Sequence, residues 1–261
     1  MSYDFSHSTI LLTGAGGGIG FAVLKQLLRS KARVIATDIS LSALQEKTKK
    51  LHHDYPGQLI CREMDLAVHR ATDEYISCWE AEYGPIHHLV SCAGLLHVHP
   101  LRTMPVSDIQ DMFDVNVFGT LALMQAAGKK MAERQQGNMV IIGSNAANTP
   151  RAGIGAYAAS KSALHMMVKC MGMELAPFGI RCNIVSPGST RTHMQQQLWT
   201  ENYGESQVIA GDAENFRLGI PLGKIAEPDD IAGTVLFLLS EAANHITLHD
   251  LRVDGGATLD Q

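Results

Sequence analysis

The chain has 261 residues, 46% of them hydrophobic, 18% charged and 6% aromatic, with 21 Lys and Arg against 26 Asp and Glu. That apolar content excludes a disordered chain, and no apolar run approaches the ~20 residues that span a bilayer. A formal charge of −5, with no basic run longer than two residues, excludes a nucleic-acid surface, which needs clustered cations.

The first nine residues are polar and carry Asp4, so no secretory signal is expected. From there short β-rich runs alternate with longer helical stretches. Strands are predicted over 9–12, 33–37, 59–64, 88–91, 138–143, 181–186 and 250–253, and helices near 18–30, 41–54, 69–82, 106–134, 156–176 and 228–240. Strands alternating with helix-length segments predict an α/β fold with a doubly wound, parallel, seven-stranded sheet. Runs such as Met139-Val140-Ile141-Ile142 are continuously apolar, as strands covered on both faces should be. No repeat, linker or compositional break divides the chain, so a single domain over 1–261 is expected. The stretch 192–227 is predicted to hold no strand and only weak helix, interrupted by Gly204, Gly211 and Gly219. Connections this long are commonly lids or binding loops. Met194, Leu198, Trp199, Phe216 and Leu218 suit a flap over a substrate, or else a surface excursion with a small satellite core. The five Cys are odd in number and form no C-x-x-C pair. They read as thiols in a reducing compartment, the cytosol.

The first strand runs into Thr13-Gly14-Ala15-Gly16-Gly17-Gly18-Ile19-Gly20, and a helix follows at once. Glycines there allow a sharp turn and a close approach to a pyrophosphate lying on the helix N-terminus. No Gly-Lys-Ser/Thr follows, which excludes an NTPase phosphate loop. The second strand ends at Asp38. A carboxylate there can accept both ribose hydroxyls of an adenosine and repels a 2′-phosphate, so NAD is expected over NADP. Asp38 could also serve as a turn or capping residue.

Tyr157 and Lys161 stand four apart on a predicted helix, hence on one face. An ammonium beside the phenol is expected to lower its pKa and make it a usable base. Ser144 follows the strand over 138–143, at the end where ligands bind in such sheets.

Thr13-Gly14-x3-Gly18-x-Gly20, Asp65, Cys92-Ala93-Gly94, Asn116, Ser144, Tyr157-x3-Lys161 and Pro187-Gly188 together resemble the short-chain dehydrogenases/reductases along essentially the whole chain. The resemblance implies a Rossmann-type fold with Tyr157 as acid/base and Ser144 hydrogen-bonded to the reacting oxygen. It makes Lys161 the holder of the nicotinamide ribose and Asn116 the anchor of a proton-relay water. NAD would then be held by Gly14, Gly18, Ile19, Gly20, Asp38, Asp65, Leu66, Ala93, Gly94, Tyr157, Lys161, Pro187, Gly188, Thr190 and Thr192. Cys92 replaces the Asn usual in the family. The family also implies a homotetramer built on the helices near 106–134 and 156–176, where Ala163, Met166, Met167 and Met171 give the second helix an extra apolar face.

A finer resemblance is to the 2,3-dihydro-2,3-dihydroxybenzoate dehydrogenases of catechol-siderophore biosynthesis. It is carried by Thr149-Pro150-Arg151, Val185-Ser186-Pro187-Gly188-Ser189-Thr190, the segment 219–226, His245-Ile246-Thr247-Leu248 and Val253-Asp254-Gly255-Gly256, with departures at Arg191 and His97. It implies NAD-dependent oxidation of a carboxylated cyclohexadiene diol to a catechol. Such a carboxylate needs a cation or several donors. Arg151 is the candidate, with a surface role as its alternative and Arg191 as its nearest competitor. His97 is a candidate polar group on the substrate side. His97 and His99 lack a third ligand, so no metal is expected. Two rivals remain: a relative of the same fold acting on a sugar, steroid or acyl-carrier substrate, and a non-catalytic NAD-binding regulator. The latter would have no need of Ser144, Tyr157 and Lys161 together.

Overall fold

The computed structural model describes residues 3–259. Its centre is a parallel sheet of seven strands in the order β3-β2-β1-β4-β5-β6-β9. These are β1 (Thr9–Thr13), β2 (Arg33–Asp38), β3 (Leu59–Glu63), β4 (His88–Ser91), β5 (Gly137–Ile142), β6 (Ile180–Pro187) and, last in the chain, β9 (Asp250–Val253). The seven predicted strands are all present, with ends moved by one residue at most. Helices α1 (Gly18–Arg29), α2 (Leu41–Asp54) and α9 (Pro228–Leu239) cover one face, and α3 (Thr72–Tyr83), α5 (Thr120–Arg134) and α6 (Gly155–Leu175) the other. Strand alternation sorts the two cores. Ile10, Leu12, Val34 and Val140 pack with Leu24 and Val235, whereas Leu11, Ile35 and Ile141 pack with Trp79, Leu123 and Leu164.

After β1 the chain winds outward to β2 and β3, then crosses back so that β4 pairs the other edge of β1. That reversal opens a crevice beyond the carboxyl ends of β1 and β4, where ligands of open α/β sheets bind.

Two expectations change. The stretch 106–134 is not one helix: α4 (Val106–Phe113) and α5 are joined by a wide π-helical turn, Asp114–Gly119. A Cβ on Gly119 would lie 2.2 Å from the Leu66 carbonyl oxygen, so only glycine lets the turn approach the chain after β3. The stretch 192–227 does contain strands. It holds α7 (His193–Gln196), α8 (Glu205–Ala210) and a two-rung hairpin of β7 (Gly211–Asp212) with β8 (Arg217–Leu218). Gly211 lies at φ +91 and a Cβ there would meet the Gly219 amide at 2.5 Å. Of the glycines that interrupt the helical pattern, Gly211 and Gly219 thus close the hairpin, and Gly204 stands at the N-cap of α8. The stretch's apolar residues divide between two packing sites. Met194 and Leu198 pack with Leu96, Ile154 and Tyr157, while Trp199 joins a satellite core of Val208, Ile220 and Ile225. Phe216 and Leu218 are exposed.

Candidate active site

A cleft of about 1060 Å³ runs along the carboxyl ends of the strands from Asp38 at one end to Arg151 at the other. That is at the upper end of the about 300–1,000 Å³ typical of small-molecule and cofactor sites. The glycine loop forms its first wall. Gly14 (φ +64) turns the chain so tightly against the β4 end that a Cβ would lie 2.6 Å from the Ala93 amide nitrogen. Helix α1 then starts with no side-chain cap and no acidic residue in its first turn. Its free amides and positive dipole end suit a pyrophosphate. Asp38 stands across from the loop, accepting from the Gly16 amide at 2.8 Å and the Ile39 amide at 2.9 Å. The residues present therefore fit a dinucleotide with free ribose hydroxyls. Asp65, Leu66, Ala93, Gly94, Pro187, Gly188, Thr190 and Thr192 line the same cleft.

Its far half is built on β5 and α6. Lys161 Nζ, buried, donates to the Ile142 carbonyl at 2.9 Å and lies 5.8 Å from the centre of the Tyr157 ring. Burial lowers the Lys161 pKa to about 8, the neighbouring Cys92 thiol acting in the opposite direction. Burial also pushes the Tyr157 phenol up to about 12, opposed by its hydrogen bond to Ser144. Burial thus dominates the phenol here, and the Lys161 hydrogen bond goes to the backbone instead of to Tyr157. Ser144 is held from behind, its amide donating to His165 Nε2 at 3.3 Å, and His165 Nδ1 lies 3.2 Å from Asp250 Oδ2.

Asn116 adjoins this wall with its carboxamide fully engaged. Its Oδ1 accepts from the Leu95 amide at 2.8 Å, and its Nδ2 donates to the Leu95 carbonyl at 2.9 Å and to Ser160 Oγ at 3.0 Å. Its side chain ties the π-helical turn to the chain after β4 and to α6. Arg151 and His97 do line the cleft, each with a buried nitrogen that lacks a partner, Nε and Nε2 respectively. Arg191 does not present a free cation. Its guanidinium is bound by Glu205 at 2.6 Å and Glu227 at 2.8 Å, which removes it as competitor to Arg151. Sequence reasoning missed Lys47, which reaches the glycine loop at the Gly16 carbonyl (2.6 Å), and Arg217, which lines the cleft beside Arg151.

A family model described as short chain dehydrogenase matches residues 8–203. The chain belongs to the short-chain dehydrogenase family. It is 62% identical over 254 residues to the vibriobactin-specific 2,3-dihydro-2,3-dihydroxybenzoate dehydrogenase of Vibrio cholerae, covering 97% of each chain. It is 43% identical to the 2,3-dihydro-2,3-dihydroxybenzoate dehydrogenase of Bacillus subtilis, covering 95% of each. Among solved structures it resembles ElxO with NADP bound, at 27% identity and a TM-score of 0.87, covering 97% of this chain and 99% of that one. Within this dehydrogenase family, the glycine loop, Ser144, Tyr157 and Lys161 stand together in one cleft.

Proposed function

We propose that this dehydrogenase oxidises 2,3-dihydro-2,3-dihydroxybenzoate to 2,3-dihydroxybenzoate with NAD⁺, as in catechol-siderophore biosynthesis. The observation that carries the reading is the union of Tyr157 and Ser144 in one cleft with Arg151, whose buried Nε has no partner among the described residues, in a chain similar over 95% or more of its length to dehydrogenases named for that substrate. Bound NAD⁺ supplies the two-electron acceptor. Gly14, Gly18, Ile19 and Gly20 cradle the pyrophosphate, and Asp38 accepts from the adenosine ribose, which favours NAD over NADP. Tyr157 Oη takes the proton of a ring hydroxyl, and the Ser144 hydroxyl donates to that oxygen as it becomes a carbonyl. Lys161 holds the nicotinamide ribose and adds positive charge beside the phenolate. Arg151 pairs with the ring carboxylate, and His97 offers a further polar contact. Met194 and Leu198, from the flap 192–227, exclude water above Tyr157. The enone-type product becomes aromatic by tautomerisation, which draws the reaction toward oxidation.

No helix among the described residues is long and apolar enough to cross a membrane, and the five free thiols suit the cytosol. The assembly in this reading is a homotetramer. On α6, Met166 and Met173 are 63% and 65% exposed and share a stripe with Ala163 and Cys170, while Phe118 is 44% exposed in the π-helical turn before α5.

The test is NADH formation from a panel of cyclic diols with and without a ring carboxylate. Oxidation of the carboxylated diol alone supports the reading. Preference for a sugar, steroid or acyl-carrier alcohol overturns it, and absence of any turnover with intact NAD⁺ binding supports the non-catalytic alternative.

A further inference from the structure

Three arginines stand on or beside the flap side of the cleft, and they are treated in opposite ways. All three line the cleft, but Arg191 has its guanidinium neutralised by two carboxylates, whereas neither Arg151 nor Arg217 makes an ion pair with an acidic side chain among the described residues. Arg217 opens β8. Its Nη1 donates to the phenolic oxygen of Tyr203 at 2.9 Å, and its guanidinium lies 5.8 Å from the centre of that ring. Both contacts orient the group, and neither cancels its charge.

Nearby acids act on the pair only at a distance, Asp254 on Arg151 and Asp212 on Arg217, and their hydrogen bonds go elsewhere. Asp254 accepts from Asn145 (3.1 Å), Thr258 (2.6 Å) and the Gly256 amide (3.0 Å). Asp212, cross-strand from Arg217, accepts from the amide and side chain of Asn215. Arg217 is close enough to disfavour the charge of Arg151, which is lowered first by burial and then by Arg217, with Asp254 and Tyr203 in opposition. A chamber of about 20 Å³, room for a water and no more, is lined by both guanidiniums. The cleft is therefore where a larger anion can meet them. Two like charges drawn together out of water are costly unless an anion joins them.

We propose that Arg217, carried on the flap hairpin, joins Arg151 in a two-guanidinium clamp on the ring carboxylate of the substrate. The inference rests on the reading above and adds to it a residue, a contact and a role for the hairpin. Because β7 and β8 hold Arg217, seating the carboxylate also seats the flap over Tyr157. The hairpin becomes the element that distinguishes carboxylated rings from neutral ones.

The test compares wild type, Arg217→Leu, Arg217→Lys, Arg151→Leu and the double Leu variant. Binding of 2,3-dihydroxybenzoate and of catechol is measured by calorimetry with NAD⁺ present, and kcat/KM is measured for the diols with and without the carboxylate. Arg217→Leu is expected to weaken 2,3-dihydroxybenzoate binding at least tenfold and to lower kcat/KM for the carboxylated diol about 30-fold or more. Catechol binding and the neutral diol should change less than threefold, and Arg217→Lys should restore part of the loss. The double variant should lose less than the product of the two single losses, because one anion serves both groups. Equal losses for the carboxylated and neutral ligands, or no loss in Arg217→Leu, overturn the clamp. A wild type that binds 2,3-dihydroxybenzoate through both arginines but does not oxidise the carboxylated diol overturns the functional reading and leaves the clamp standing.

Discussion

The Gly16 amide donates to Asp38 Oδ2 at 2.8 Å, so the carboxylate expected to receive the ribose also holds the glycine loop. A Cβ on Gly16 would stand 2.9 Å from that oxygen, which couples loop shape to carboxylate position. Wild type should prefer NAD⁺ over NADP⁺ at least tenfold in kcat/KM, because Asp38 opposes a 2′-phosphate. Asp38→Ala with Ile39→Arg should reverse or erase the preference. Lys47 already lies at the Gly16 carbonyl, so Lys47→Ala in that background should cost NADP⁺ more than NAD⁺. Equal use of the two cofactors by wild type would exclude this role for Asp38.

Tyr157→Phe should lower kcat by about 10²–10⁴-fold or more while NAD⁺ binding, read by calorimetry, changes little. The phenol lies at about 12, so the free enzyme holds it protonated at neutral pH. The ionised base becomes more abundant as pH rises, so kcat/KM for oxidation should climb between about pH 6 and 9, by up to about tenfold per unit. The residual rate of Tyr157→Phe should lack this limb. A parallel rise in both enzymes would place the titrating group elsewhere.

Burial of Lys161, proposed above to hold the nicotinamide ribose, should cost stability. Its pKa falls from 10.5 to about 8 in the fold, so the protonated form is disfavoured there by roughly 3 kcal/mol. The cost is fully present below about pH 8 and disappears as pH approaches 10.5, since the folded state releases its proton first. Lys161→Met gives up the bond to the Ile142 carbonyl, worth about 1–2 kcal/mol. It should still gain about 1–2 kcal/mol at neutral pH, or roughly 2–8 °C in Tm, while losing activity. The gain should shrink as pH rises above about 8. Thermal unfolding at several pH values checks this, and a variant less stable at pH 7 would contradict it.

Asn116→Ala should affect the fold as well as the rate. Its buried carboxamide satisfies both backbone groups of Leu95, and orphaning a buried donor or acceptor costs about 1–3 kcal/mol. Denaturant unfolding should register that loss in the absence of any substrate; unchanged stability would return Asn116 to a purely catalytic role.

What the sequence disclosed follows from how local each signal is. Continuous apolar runs marked the buried strands, and the glycine loop and the Tyr157–Lys161 spacing are set within one element or one turn. The strand ends shifted because Thr13 and Asp38, polar residues facing the cleft, still pair in the sheet. The π-helical turn left no local mark, since it depends on Gly119 meeting the Leu66 carbonyl from a distant segment. Arg191 and Arg217 look alike in sequence. Folding brings both to the cleft but gives only Arg191 two glutamates, leaving Arg217 without an acidic partner among the described residues.

The last prediction concerns assembly. Met166 and Met173 lie two helical turns apart on α6 and are mostly exposed, an unusual state for two large apolar side chains on one stripe. Burying a methionine is worth about 1.5–3 kcal/mol, and across a two-fold interface each substitution counts twice. Met166→Asp with Met173→Asp should therefore shift the proposed tetramer to smaller species in analytical ultracentrifugation. Neither residue lines the cleft, so NAD⁺ binding per chain should persist. Sedimentation as a tetramer in the double variant would move the interface to another face, and a wild-type monomer would remove it.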